Sequence, residues 1–163
     1  GFVTVTTEVG RGTAFSVYIP RHNGAIGKKE SSKDPAPIAQ GQETILLVED
    51  DLAILEMCER ILHMQGYEVL KASNPNEAIL IAQEYPGTIQ LLVTDVVMPE
   101  MNGRELSKHI VALYPDVKRL FMSGYMPDVI SHQGVLDNGS HFLQKPFTLT
   151  RLAEMVRTVL DLR

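Results

Sequence analysis

The chain has 163 residues, 44% of them hydrophobic, with a formal net charge of -5 and a pI near 5.5. That supplies one ordinary core with roughly a few tens of residues left over, and an acidic chain without a stripe of Lys or Arg argues against nucleic acid as a partner. A lone cysteine, Cys58, excludes an internal disulfide, and no apolar stretch reaches the ~20 residues of a membrane span or reads as a secretion signal.

Taken from the N-terminus, residues 1–20 alternate as paired strands do: Phe2-Val3-Thr4-Val5-Thr6, a turn at Gly10-Arg11-Gly12, then Phe15, Val17 and Ile19 interleaved with Ala14, Ser16 and Tyr18. A β-hairpin is expected. From His22 to Gln42 the apolar period gives way to Gly, Lys, Ser, Asp, Pro and Gln, the composition of a flexible linker. From Glu43 onward, strand-like runs near 44–48, 67–71, 89–94, 118–122 and 141–144 alternate with helix-like runs near 51–65, 75–85, 102–113, 127–135 and 148–162. That alternation predicts a parallel α/β sheet. Tyr67-Glu68-Val69-Leu70-Lys71 mixes polar and apolar residues as an edge strand does, whereas Leu91-Leu92-Val93 reads as buried on both faces. Ile54, Leu55, Cys58, Ile61 and Leu62 form one apolar stripe that stops before Gly66, and Asn102 and Thr148 are placed to cap the third and last helices.

Three strand-like runs end on chemistry: Thr44–Val48 on Glu49-Asp50-Asp51, Ile89–Thr94 on Asp95, and His141–Gln144 on Lys145-Pro146. In an open parallel sheet the carboxyl ends of the strands line one crevice, so these groups should converge. Carboxylates gathered there repel one another, and a hard divalent cation relieves this best, which suggests Mg²⁺ or Mn²⁺ on Glu49, Asp50 and Asp95. With its charge screened, a carboxylate can attack phosphorus and form an acyl phosphate. Lys145 and the Ser123 hydroxyl would then neutralise the remaining phosphoryl oxygens. Taken singly these residues have plainer uses: Asp51 as a helix cap, Ser123-Gly124 as a turn, Lys145 as a solvated charge, Phe142 as a static core ring. Their joint placement favours the chemistry.

At these residues the chain resembles a response-regulator receiver domain of two-component signalling. The text that carries the resemblance is Ile45-Leu46-Leu47-Val48-Glu49-Asp50-Asp51, Val93-Thr94-Asp95-Val96-Val97-Met98-Pro99-Glu100-Met101-Asn102-Gly103, Phe121-Met122-Ser123-Gly124-Tyr125 and Lys145-Pro146-Phe147, within residues 43–163. The resemblance implies a flavodoxin-like (βα)5 fold with strand order 2-1-3-4-5. It also implies Asp95 as phosphoacceptor, Glu49 and Asp50 holding the metal with Asp95 and the backbone carbonyl of Val97, Ser123 and Lys145 on the phosphoryl group, and Phe142 as the switch aromatic. Glu49 stands where aspartate is commoner. Val97 and Tyr125 occupy positions that influence how water reaches the phosphoryl group, and neither can orient an attacking water as an amide would, so a long-lived acyl phosphate is expected.

Gly10-Arg11-Gly12-Thr13-Ala14-Phe15-Ser16-Val17-Tyr18-Ile19-Pro20 is similar to the last strands of a histidine-kinase ATP-binding domain. Residues 1–21 would then be a remnant of that domain and 22–42 the linker, making the chain the C-terminal part of a hybrid sensor histidine kinase. The ATP-binding motifs and a His box are missing, so the fragment should catalyse its own aspartyl phosphorylation and dephosphorylation without using ATP. Partners implied are the histidine-kinase core or a histidine phosphotransfer protein, with no nucleic acid and no direct membrane contact. A homodimer through the fourth helix, fifth strand and fifth helix, or through the hairpin, stays open. The location implied is cytoplasmic, the parent kinase being free to carry a membrane anchor. Two competing readings are a docking module with a vestigial pocket and a dehalogenase-type phosphatase. The phosphatase wants a second aspartate two residues past the nucleophile, where Val97 stands.

Overall fold

A computed structural model describes residues 1–21, 41–124 and 140–162. The alternating N-terminal segment forms an antiparallel pair, β1 (Phe2–Glu8) and β2 (Gly12–Tyr18). Gly10 and Gly12 take φ of +79° and +100° at the turn, a left-handed backbone that a side chain resists. The register sets Val3 opposite Val17 and Val5 opposite Phe15, so these four share one face. All the strand residues are exposed, and Phe2 stacks on Tyr18 with ring centroids 4.5 Å apart. The hairpin lies in one compact unit, Gly1–Ala36, and everything below in a second, Pro37–Arg163.

In the second unit the apolar runs become five parallel strands: β3 (Thr44–Val48), β4 (Glu68–Ala72), β5 (Leu91–Asp95), β6 (Lys118–Ser123) and β7 (Ser140–Gln144). They lie in the order β4-β3-β5-β6-β7, the flavodoxin-like 2-1-3-4-5 arrangement that the family resemblance implies. The helices described are α1 (Leu52–Met64), α2 (Pro75–Glu84), α3 (Gly103–Leu113) and α4 (Leu149–Asp161). The helix expected near 127–135, Tyr125 and nearly all of the linker at 22–42 lie outside the described residues.

Alternate residues of each strand feed opposite faces, as the pleat requires. Ile45, Leu47, Leu91, Val93, Leu120, Met122 and Leu143 pack with α1 and α4 on one side, whereas Leu46, Val48, Leu92 and Ala72 pack with α2 and α3 on the other. Each fully buried Leu or Ile contributes about 1.5–3 kcal/mol relative to exposure. β4 is the mixed edge strand, and Leu91, Leu92 and Val93 are buried completely, as their sequence predicts. Caps fix where the helices begin. Asn102 Oδ1 accepts the N–H of Arg104 at 3.1 Å and of Glu105 at 3.0 Å, and Thr148 Oγ1 accepts that of Arg151 at 3.2 Å. Gly66, with φ of +91°, follows the end of α1. β5 begins at Leu91 and not at Ile89, although Ile89 is itself buried.

Candidate functional site

The strand that follows β3 in sequence lies on one side of it and the next lies on the other, so the chain changes direction between β3 and β5. The crevice at such a switch point opens at the carboxyl ends of the strands. Glu49 and Asp50 follow β3, Asp95 ends β5, Ser123 ends β6 and Lys145 follows β7. The first three each bring a carboxylate oxygen within 4.8 Å of the others. Lys145 Nζ donates to Glu49 Oε2 and to Asp95 Oδ2, both at 2.7 Å. Its backbone N–H donates to the Ser123 carbonyl at 2.7 Å, tying the lysine to the end of β6, and the bond to Pro146 is cis. Ser123 is buried. Val97 turns its side chain outward and gives its N–H to Asp95 Oδ1 at 3.3 Å. Asp51 stands apart: its Oδ1 accepts the N–H groups of Ala53 at 2.9 Å and Ile54 at 3.2 Å, so it caps α1.

Burial and pairing pull against each other in this cluster. The Glu49 side chain is 1% exposed, and that desolvation holds its carboxyl above the usual carboxylate range despite the hydrogen bond from Lys145. Burial alone would pull Lys145 down, but its hydrogen bonds and attraction to Asp95 and Glu49 outweigh this and raise it. It is therefore a firm cation. Three carboxylates against one ammonium leave two negative charges when all are ionised. A compact set of hard oxygens with that excess fits a divalent cation of the Mg²⁺ type.

Two residues that shape this site carry no obvious chemistry in the sequence. Thr94 is fully buried and gives its hydroxyl to the Asp95 carbonyl at 3.0 Å. Gly103 opens α3 directly against the end of β5: a Cβ there would drive into the Asp95 carbonyl oxygen and come within 3.1 Å of Thr94 Cγ2. A glycine in the first turn of a helix, where most other residues serve better, is the signal that points to such a close approach. Gly103→Ala is expected to lower the free energy of unfolding by about 1–3 kcal/mol through overpacking. Gly124→Ala, whose added methyl meets nothing within 4 Å among the described residues, serves as the neutral control in urea denaturation.

The family model described as the response regulator receiver domain matches residues 45–157. The chain belongs to the response-regulator receiver family. It is 36% identical to the sensor kinase CckA of Brucella abortus over 168 residues, a stretch that takes in 99% of this chain and 18% of that protein. The response regulator receiver protein CpdR of the same organism is 34% identical over 116 residues, covering 71% of this chain and 95% of CpdR. Among solved structures, the receiver domain of the hybrid histidine kinase CckA superposes with a TM-score of 0.63 at 38% identity, over 72% of this chain and 99% of that one. The chemotaxis response regulator CheY4 of Vibrio cholerae does so with 0.65 at 27% identity, over 73% of this chain and 99% of that one. This chain is thus a receiver of two-component signalling that spans less than a fifth of the sensor kinase it resembles. Among the described residues no helix is long and apolar enough to cross a membrane.

Proposed function

We propose that this receiver takes a phosphoryl group from a phosphohistidine onto Asp95. The observation that carries the reading is the convergence of Glu49, Asp50 and Asp95 within 4.8 Å with Lys145 bonded to two of them. In the transfer an Asp95 carboxylate oxygen forms the new bond to phosphorus while the phosphorus–nitrogen bond breaks and the donor imidazole leaves with its electron pair. Lys145, already 2.7 Å from Asp95, follows the charge onto the phosphoryl oxygens, and the Ser123 hydroxyl, at the end of the neighbouring strand, donates to another. Glu49, Asp50, Asp95 and the Val97 carbonyl would hold Mg²⁺ or Mn²⁺, which when bound screens the carboxylates from one another and from the incoming phosphate. Phe142 would change orientation as the Ser123 loop closes, altering the surface around β7 and α4.

The donor would be a histidine-kinase core or a histidine phosphotransfer protein in the cytoplasm. Alignment of the whole chain, hairpin included, with a sensor kinase supports a hybrid kinase as the parent. Residues 1–21 would be the last strands of its ATP-binding domain, 43–163 the receiver, and 22–42 the segment that joins them. Incubation with a small phosphodonor and Mg²⁺ tests the central claim by intact mass and peptide mapping. One phosphoryl group on Asp95, absent when the metal is chelated, is the expected result. No gain, or a gain on another residue, would overturn it, and turnover of phosphate esters would point to a phosphatase.

A further inference from the structure

Phe121 of β6 and Phe142 of β7 are register partners, and their rings stack with centroids 5.4 Å apart and planes 24° from parallel. Residues two apart on a strand share a face of the sheet. Phe121 and Ser123 therefore point to the same side, and Thr94, opposite Phe121 on β5, completes a row across that face. The row runs from Thr94, hydrogen-bonded to the Asp95 carbonyl, through Phe121 to Phe142. The two residues differ in burial: Phe121 is 2% exposed, whereas Phe142 is half-buried.

We propose that Phe121 is a positioning residue, the fixed half of an aromatic pair that sets how the Phe142 ring divides its time between two orientations. The inference rests on the reading of Ser123 and Phe142 as the moving parts of a switch. An offset stack is directional, so it favours the orientation that lays one ring on the other over one that turns away. Dispersion from an aliphatic side chain would fill the same space without that preference. Because Phe121 sits between Thr94 and Phe142 and two residues before Ser123, a shift of the β6 end reaches Phe142 through the platform on which its ring rests.

Phe121→Met keeps an unbranched apolar side chain of similar bulk but removes the ring. With 4-fluorophenylalanine in place of phenylalanine and Phe142 assigned through Phe142→Leu, fluorine NMR reads the orientation of that ring directly. The ratio of its two environments is expected to change about two- to tenfold in Phe121→Met, the population equivalent of one aromatic pair. The change should appear both without addition and with Mg²⁺ and beryllofluoride, a phosphoryl mimic, while phosphorylation of Asp95 persists. Phe121→Leu carries the same readout should the methionine variant fail to fold. An orientation ratio that stays put without the mimic in a folded variant overturns the proposal. A parental chain whose spectrum ignores beryllofluoride instead refutes the Asp95 reading on which the switch depends, and the ratio measured without the mimic still judges the pair.

Discussion

Asp95→Asn is expected to abolish covalent phosphoryl capture, with a fall of at least roughly 1,000-fold in the rate of mass gain, the scale on which loss of a nucleophile acts. The exchange is nearly isosteric, but a neutral amide oxygen has neither the negative charge nor the basicity to displace a leaving group from phosphorus. Among the described residues no other carboxylate of the cluster is placed to take over. Glu49 is closed off from solvent, Asp51 is held by two backbone N–H groups at the start of α1, and Asp50 is exposed without a bond from Lys145 among the described contacts. Asp95, half-buried and 2.7 Å from the Lys145 ammonium, combines access with a cation to receive the phosphoryl charge. The variant should also stay folded, because Lys145 keeps Glu49 as a partner at 2.7 Å. Intact mass after incubation with a phosphodonor, paired with a urea denaturation curve, separates lost chemistry from lost structure. Continued phosphorylation of a folded Asp95→Asn chain would move the acceptor elsewhere.

Much of this arrangement is legible in the sequence, for identifiable physical reasons. Apolar runs such as Leu91-Leu92-Val93 and the stripe Leu55, Cys58, Ile61, Leu62 write burial directly into the order of residues, and the caps Asn102 and Thr148 mark helix starts because they must supply an acceptor to free N–H groups. The acids after β3, the acid that ends β5 and the lysine after β7 are also readable, since the carboxyl ends of parallel strands lie together. What escapes is whatever depends on register between strands distant in sequence, and the way an individual side chain turns. Nothing local to Phe121 announces that it will lie beside Phe142, and Thr94 looks like any β-branched strand residue until its hydroxyl is seen on the Asp95 carbonyl. The partition among the three successive acids is legible in part, since Asp51 reads as a helix cap from its place after the strand and its side chain does cap α1. Glu49 turns inward to Lys145, Asp50 stays exposed and Asp51 turns back to cap α1, a division that follows from where the strand ends and the helix begins.

Lys145→Met is expected to cost about 3–5 kcal/mol of stability at neutral pH, the penalty for stripping one partner from a buried ion pair. Among the described ion pairs, Lys145 is the cation that meets Glu49, whose side chain is 1% exposed, so methionine leaves that carboxylate desolvated without a counter-charge. Glu49 can escape by taking up a proton, and this gives the prediction its pH dependence. Burial already raises its carboxyl above the ordinary value of 4.5. The folded chain therefore holds this proton more tightly than the unfolded one. The stability that Glu49 contributes is then fully present below its unfolded value and is lost as pH rises through the folded value. Without Lys145 the folded value climbs further, so the deficit of the variant should deepen toward neutrality and shrink on acidification from about pH 8 to pH 5. Adding Glu49→Gln removes the titrating group, so the double variant should lose that slope and recover part of the stability. Urea denaturation across this range, with chelator present to keep divalent cations from substituting for the ammonium, checks both points. A Lys145→Met chain less than about 1 kcal/mol weaker than the parent, with no more pH dependence than the double variant, would mean that Glu49 draws its stabilisation from somewhere other than the lysine.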